Sequence, residues 1–189
     1  MQIFDSAAEG AIFFCKKVKE DNKILLISKY ALDCRQYNTD WISVTWETST
    51  LRDWLNNTFL KEAFSAEEQR AIQKAEVTAD TNPSYSMDPG NDTKDRIFLL
   101  SIDEASKYFD FDNGRMCVPT AYARAQGGRS KRDYTVDGEG VCYWWLRSPG
   151  FYPDYAAYVD YDGGINVIGN MVDLSKGCVR PAMWIDLDS

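Results

Sequence analysis

The sequence predicts an α+β domain, with helices in the first two thirds and antiparallel strands at the C-terminus. Two capping boxes, Ser65 with Glu68 and Ser101 with Glu104, mark helix starts in the first part. Past residue 140, four short runs rich in β-branched and aromatic residues follow, two of them separated by the turn signal Asp162-Gly163-Gly164. Helices placed before strands argue against repeated βαβ units. The 189 residues suit one domain with a well-buried core, so 1–189 is read as a single unit.

Each element has a local reason. Residues 11–18 and 23–30 are apolar and β-branched, and Glu20-Asp21-Asn22 between them reads as the turn of a β-hairpin. Residues 37–45 are polar and irregular, with Trp41 as an anchor. Ser49 starts a helix in which Leu51, Trp54, Leu55 and Phe59 recur at helical spacing, giving one apolar face. The Ser65 box opens a second helix, residues 72–78 suggest a short strand, and 80–94 is a polar loop around Pro83, Pro89 and Gly90. Residues 96–100 read as a short apolar strand, after which the Ser101 box opens a helix through Phe109. Pro119 suits the first turn of a short helix ending near Ala125. Residues 126–140 read as a charged, glycine-containing loop. Strands are then expected at 141–147, 155–160, 165–168 and 178–187.

Composition narrows the chemistry. The formal net charge is -8, which disfavours nucleic acid and anionic membranes as partners. The basic cluster Arg124, Arg129, Lys131 and Arg132 sits beside Gly127 and Gly128 and reads as a solvated loop. The chain has no histidine, which removes Ser-His-Asp and Cys-His catalysis, histidine bases and histidine metal ligands together. No GxGxxG or GxxxxGK[ST] loop is present, and no carboxylate pair is selected by spacing. Asp154, Asp160, Asp162 and Asp173, and likewise Asp88, Asn91, Asp92 and Asp95, lack EF-hand spacing and read as solvated surface groups. No metal and no cofactor is therefore expected. The five cysteines, Cys15, Cys34, Cys117, Cys142 and Cys178, are odd in number and form no CxxC, so reduced buried thiols are expected. No signal peptide or membrane-spanning stretch is visible, and a cytoplasmic location is the default expectation.

The strongest local pattern is Tyr143-Trp144-Trp145-Leu146-Arg147-Ser148-Pro149-Gly150. Adjacent tryptophans on a strand face opposite ways, and Arg147 beside them suits a buried, fork-shaped donor to carbonyls or a carboxylate. Trp46-Glu47-Thr48-Ser49-Thr50-Leu51-Arg52-Asp53-Trp54-Leu55-Asn56 is a second pattern. Asp95 to Ser101 and Val179-Arg180-Pro181-Ala182 complete a set of four. In order and content the set resembles a bacterial family, domain of unknown function 6273, over about residues 41–187. The family usually has Gly directly before Val-Arg-Pro-Ala, whereas here Cys178 stands between Gly177 and Val179. The resemblance implies a C-type-lectin-like fold, related to formylglycine-generating enzymes and to the variable proteins of diversity-generating retroelements. The enzyme branch depends on reactive cysteines whose motif has no match here, so its activity is not carried over. The variable branch uses a rigid scaffold to display a changeable C-terminal face.

That face can be read from strand alternation. Ala157, Val159 and Tyr161 suit an inward face, and Tyr158, Asp160 and Asp162 an outward one. After the turn, Ile165 and Val167 point in, and Asn166 and Ile168 point out. Phe151, Tyr152, Asp154 and Tyr155 precede the strand and extend the surface. Tyrosine mixed with short polar residues is paratope-like. These residue types are also reachable by adenine mutagenesis of Asn codons, though a solvated strand face would look the same. Expected, then, is a non-catalytic ligand-binding domain for a protein or glycan, in its finer form a diversified one. Its scaffold would rest on buried Trp54, Trp144, Trp145 and Trp184 and on hydrogen-bonded Arg147 and Arg180. The alternatives are an enzyme related to the formylglycine-generating group, or a structural display module.

Overall fold

The computed structural model describes residues 13–20, as backbone, and 22–186. In chain order it opens with β1 (Phe13–Glu20), β2 (Lys23–Ser28) and β3 (Asp33–Cys34). A helical stretch follows: α1 (Thr50–Trp54) runs through one π-helical turn, Leu55–Phe59, into α2 (Leu60–Ala63), and then comes α3 (Ala66–Ala71). The middle holds β4 (Ala75–Val77), β5 (Thr93–Asp95), α4 (Ile102–Tyr108), α5 (Asp112–Arg115) and α6 (Ala121–Ala125). The last third contains β6 (Lys131–Val136), β7 (Glu139–Val141), β8 (Trp144–Pro149), β9 (Tyr155–Val159), β10 (Ile165–Met171), β11 (Cys178–Val179) and β12 (Ala182–Asp186).

The architecture is α+β. A three-stranded antiparallel sheet has the order β1-β2-β12, and a five-stranded sheet the order β10-β9-β8-β11-β3. In the second sheet β11 runs parallel to β8 and antiparallel to β3. The helices fall between Thr50 and Ala125, but they do not form a helical part set before a strand part. They are interleaved with β4 and β5, and both large sheets pair strands from the two ends of the chain. One contiguous cluster of buried side chains, including Tyr37, Leu55, Phe98, Trp144, Trp145 and Ile185, connects the elements.

Local rules placed most elements. Ser65–Glu68 and Ser101–Glu104 form complete capping boxes at the starts of α3 and α4. β1 and β2 form the expected hairpin, although residues 11 and 12 of its first arm lie outside the described residues. Three expectations need correction. Residues 96–100 shrink from a strand to one bridge, Phe98 with Ala182, because the Asn56 side chain takes the N–H groups of Arg96 and Ile97 and donates to the Ile97 carbonyl. The loop expected at 126–140 instead holds the hairpin β6–β7, turned at Asp137-Gly138 with both φ values positive (52° and 82°). The single strand expected at 178–187 breaks at Arg180-Pro181 into β11 and β12, which belong to different sheets. Proline supplies no N–H to continue a ladder there.

The four sequence motifs are scaffold fastenings. Buried Asp95 accepts from the Trp46 indole at 2.9 Å, from Arg52 at 2.8 and 3.0 Å, and from Thr93 at 2.6 Å, so it is no solvated surface carboxylate. Arg147, 3% exposed, donates to the carbonyls of Thr78 and Leu99, to Asp80 at 3.0 Å, and to Glu104, the capping glutamate of α4. Arg180, also 3% exposed, donates to the carbonyls of Ser28 and Arg115 and lies over the Phe109 and Trp144 rings. Trp144 and Trp145 are fully buried, whereas Trp54 and Trp184 are only partly so, each flanked by a cation: Arg35 over Trp54 and Lys23 over Trp184. Gly177 has a steric role, because a Cβ there would overlap the Trp145 indole. The inserted Cys178 then fits as the first residue of β11.

Candidate binding face

The segment 150–172 leaves the buried end of β8 and returns along β9 and β10. The turn between those strands needs Gly163: its φ is +84°, and a Cβ there would collide with the Asp112 carbonyl. Along β9, Ala156, Ala157 and Val159 are buried, which fixes the strand to the core while its neighbours reach outward.

The expected site residues divide into two groups. Phe151 (41% exposed) and Tyr152 (50%) protrude, and Tyr155 is half-buried beside them. Their rings stack edge to face, Phe151 on Tyr152 at 4.5 Å and Tyr152 on Tyr155 at 5.1 Å. Ile168, exposed, is brought alongside by the Phe151 N–H bond to its carbonyl. Asp154 accepts a hydrogen bond from the Trp41 indole. These five expected residues share one surface.

Tyr158, Asp160, Asp162 and Asn166 form the second group, and it is less open. Tyr158 packs on Tyr143 at 5.3 Å and on Trp145 at 6.5 Å, and its hydroxyl accepts from the Asn166 amide at 3.0 Å. Asp160, half-buried, accepts from the Tyr161 N–H, and Asp162 accepts from the Gly164 N–H within its own turn while remaining exposed. Tyr161 was expected on the inward face, opposite Tyr158. It lies instead against Tyr143 at 5.7 Å, under the Lys131 ammonium, because alternation ends at Val159 and the chain turns. Burial, with the charge of Asp160 second, raises the Tyr158 and Tyr161 hydroxyls above the usual phenol range, so both stay protonated at neutral pH. Tyr158→Ala should accordingly weaken folding by about 1–2 kcal/mol in urea titration, through the lost ring contacts. An unchanged midpoint would show that its ring supports nothing.

Residues outside the expected set complete the first surface. Trp41 (63% exposed) and Ile42 (56%) reach it from the 37–45 loop, held by the Val44 N–H bond to the Pro153 carbonyl. Tyr85 stacks on Phe151 at 4.7 Å, and Met171 lies opposite Tyr155 on β10. Tyr85 comes from the polar 80–94 loop, where Asn82 anchors the chain by donating to the Pro149 and Val167 carbonyls. Nothing local in the sequence brings three separate loops together, and Trp41, read as the anchor of its polar stretch, is instead exposed, while Tyr37 is the buried aromatic there. The result is a ladder of half-buried Tyr85 and Tyr155 with exposed Phe151 and Tyr152, edged by Asp154 and the exposed Trp41 that bonds it.

No group of three or more His, Cys, Asp or Glu among the described residues is arranged to hold a metal ion. No helix among them is long and apolar enough to cross a membrane. A family model described as "Domain of unknown function (DUF6273)" matches residues 21–187. No curated protein and no solved structure matches the chain.

Proposed function

The chain belongs to the DUF6273 family, and from the geometry of its exposed face we propose that it is a non-catalytic ligand-binding domain with a C-type-lectin-like core. The observation that carries this reading is the ladder of rings Tyr85–Phe151–Tyr152–Tyr155, extended by Trp41. The exposed Trp41, Phe151 and Tyr152 of this ladder are costly to leave in water, and such patches are typical of interaction sites. Rigid aromatic rings give large contact area at low entropy cost, and Asp154 at the edge adds an acceptor. That combination suits a glycan or a protein surface. The buried charges are already used: Asp95, Arg147 and Arg180 spend their hydrogen bonds on the scaffold, which supports binding rather than catalysis. The pairing of the chain's two ends through β2 and β12 supports the lectin-like core.

In the finer reading the domain is a diversified variable protein. It is supported by the separation of labour along the chain, with scaffold motifs ending at Gly150 and resuming at Val179. A template repeat and a reverse-transcriptase gene beside this gene would favour it, and an isolated gene would count against it.

Screening the chain on a glycan array and against a displayed-peptide library tests the binding reading. Tyr152→Ala should weaken a selected ligand by about 2 kcal/mol, roughly 30-fold in Kd, with the melting temperature nearly unchanged. Ligands that bind this variant as tightly as the parent would refute the assignment of the face.

A further inference from the structure

The four cysteines with described side chains are all free and buried, and they are neighbours. Cys34 on β3 lies directly opposite Cys178 on β11, Cys178 contacts Cys142, and Cys142 is bridged to Cys117. The first pair has the geometry of a disulfide precursor. The Arg35 N–H bonds the Gly177 carbonyl, outside the pair, and the Cys178 N–H bonds the Tyr143 carbonyl on the far side. Cys34 and Cys178 are therefore a non-hydrogen-bonded antiparallel pair, the type whose Cα atoms stand about 4.5 Å apart. That spacing falls inside the disulfide range of about 4.4–6.8 Å. Access is one-sided. Cys34 lines a surface cleft of about 360 Å³, together with Arg35, Gln36, Trp54, Gln126 and Ser175, whereas Cys117, Cys142 and Cys178 do not line it.

We propose that Cys34 and Cys178 are a redox-active dithiol whose oxidant is a low-molecular-weight disulfide entering the cleft at Cys34. Cys34 gives up its proton to water in the cleft as its sulfur attacks the disulfide, forming a mixed disulfide and expelling one small thiolate. That thiolate takes up the proton from water. The Cys178 thiolate then attacks the Cys34 sulfur, closing the cross-strand disulfide and expelling the second small thiolate, which is protonated by water. Two protein thiols are oxidised and one small disulfide is reduced to two thiols. The surroundings fit these roles. Interaction with the neighbouring Cys142 and Cys34 thiols lowers the Cys178 pKa to about 5, so Cys178 is the standing thiolate that resolves the mixed disulfide. Cys34 is raised by its interaction with Cys178 and by burial, so it rests as a thiol, donating to the Ser175 carbonyl at 3.5 Å on the cleft side. The Tyr143 hydroxyl, buried and without a hydrogen-bond partner among the described residues, lies near both sulfurs.

The test treats the folded chain with glutathione disulfide and maps the products by peptide mass spectrometry. The expected product has lost two hydrogens and joins the peptides containing Cys34 and Cys178. In Cys178→Ser the reaction should stop at one glutathionyl group on Cys34, and in Cys34→Ser the linkage should disappear. Folded wild type should react at Cys34 at least tenfold faster than at Cys117 or Cys142, a preference that vanishes in denaturant. If wild type yields no Cys34–Cys178 linkage, or reacts first at Cys117 or Cys142, the proposal is overturned, whether or not the variants fold.

Discussion

Replacing Arg147 with Ala should lower the unfolding free energy by about 3–5 kcal/mol, the usual cost of breaking a buried charge network by deleting one partner. Four groups converge on this guanidinium: the Thr78 and Leu99 carbonyls, Asp80 and Glu104. They come from three separate parts of the chain, so the loss reaches the β4 end, the 96–100 segment and the α4 cap together. Asp80 and Glu104 are partly exposed and can rehydrate, whereas the Leu99 carbonyl is held in the core, which sets the cost mainly on the carbonyl side. Arg147→Lys should recover little, because an ammonium cannot present the same fork. Urea denaturation checks both variants, and a loss below about 1 kcal/mol in Arg147→Ala would mean that the network is not the fastening it looks to be.

Trp145→Ala should cost a similar amount, about 3–5 kcal/mol, for a different reason. The indole is fully buried, donates to the Arg35 carbonyl at 3.0 Å, and packs against Tyr37, Tyr143 and Tyr158. Its removal leaves a cavity that Gly177, with no side chain, cannot fill. The effect should also reach Tyr158, whose ring rests on it. Chemical denaturation gives the size of the loss, and near-wild-type stability would require the sheet to collapse onto the vacated space.

What could be read from the sequence was what neighbouring residues decide. Both capping boxes were legible because Ser65 and Glu68, or Ser101 and Glu104, satisfy each other within one turn. Buried Trp144 and Trp145 were legible from strand alternation. Asp95 was not, because its partners Trp46 and Arg52 lie 49 and 43 residues away, and an aspartate among polar neighbours looks solvated. The β6–β7 hairpin was hidden by the polarity of Lys131-Arg132-Asp133-Tyr134, although Asp137-Gly138 was a usable turn signal. Strand alternation placed Ile168 outside, yet it put Tyr158 fully outside as well, since the buried rings beneath it come from another strand. The exposed face needed three loops to meet, and so only its 151–155 and 168 portion was legible.

The most direct test of the binding face is hydroxyl-radical footprinting of the chain with and without a selected ligand. Trp41, Phe151, Tyr152 and Met171 should become protected, while Phe111, Tyr122 and Tyr134, also exposed but carried by the start of α5, by α6 and by β6, keep their reactivity. Protection at Phe111, Tyr122 or Tyr134 with Trp41 and Tyr152 unchanged would contradict the account.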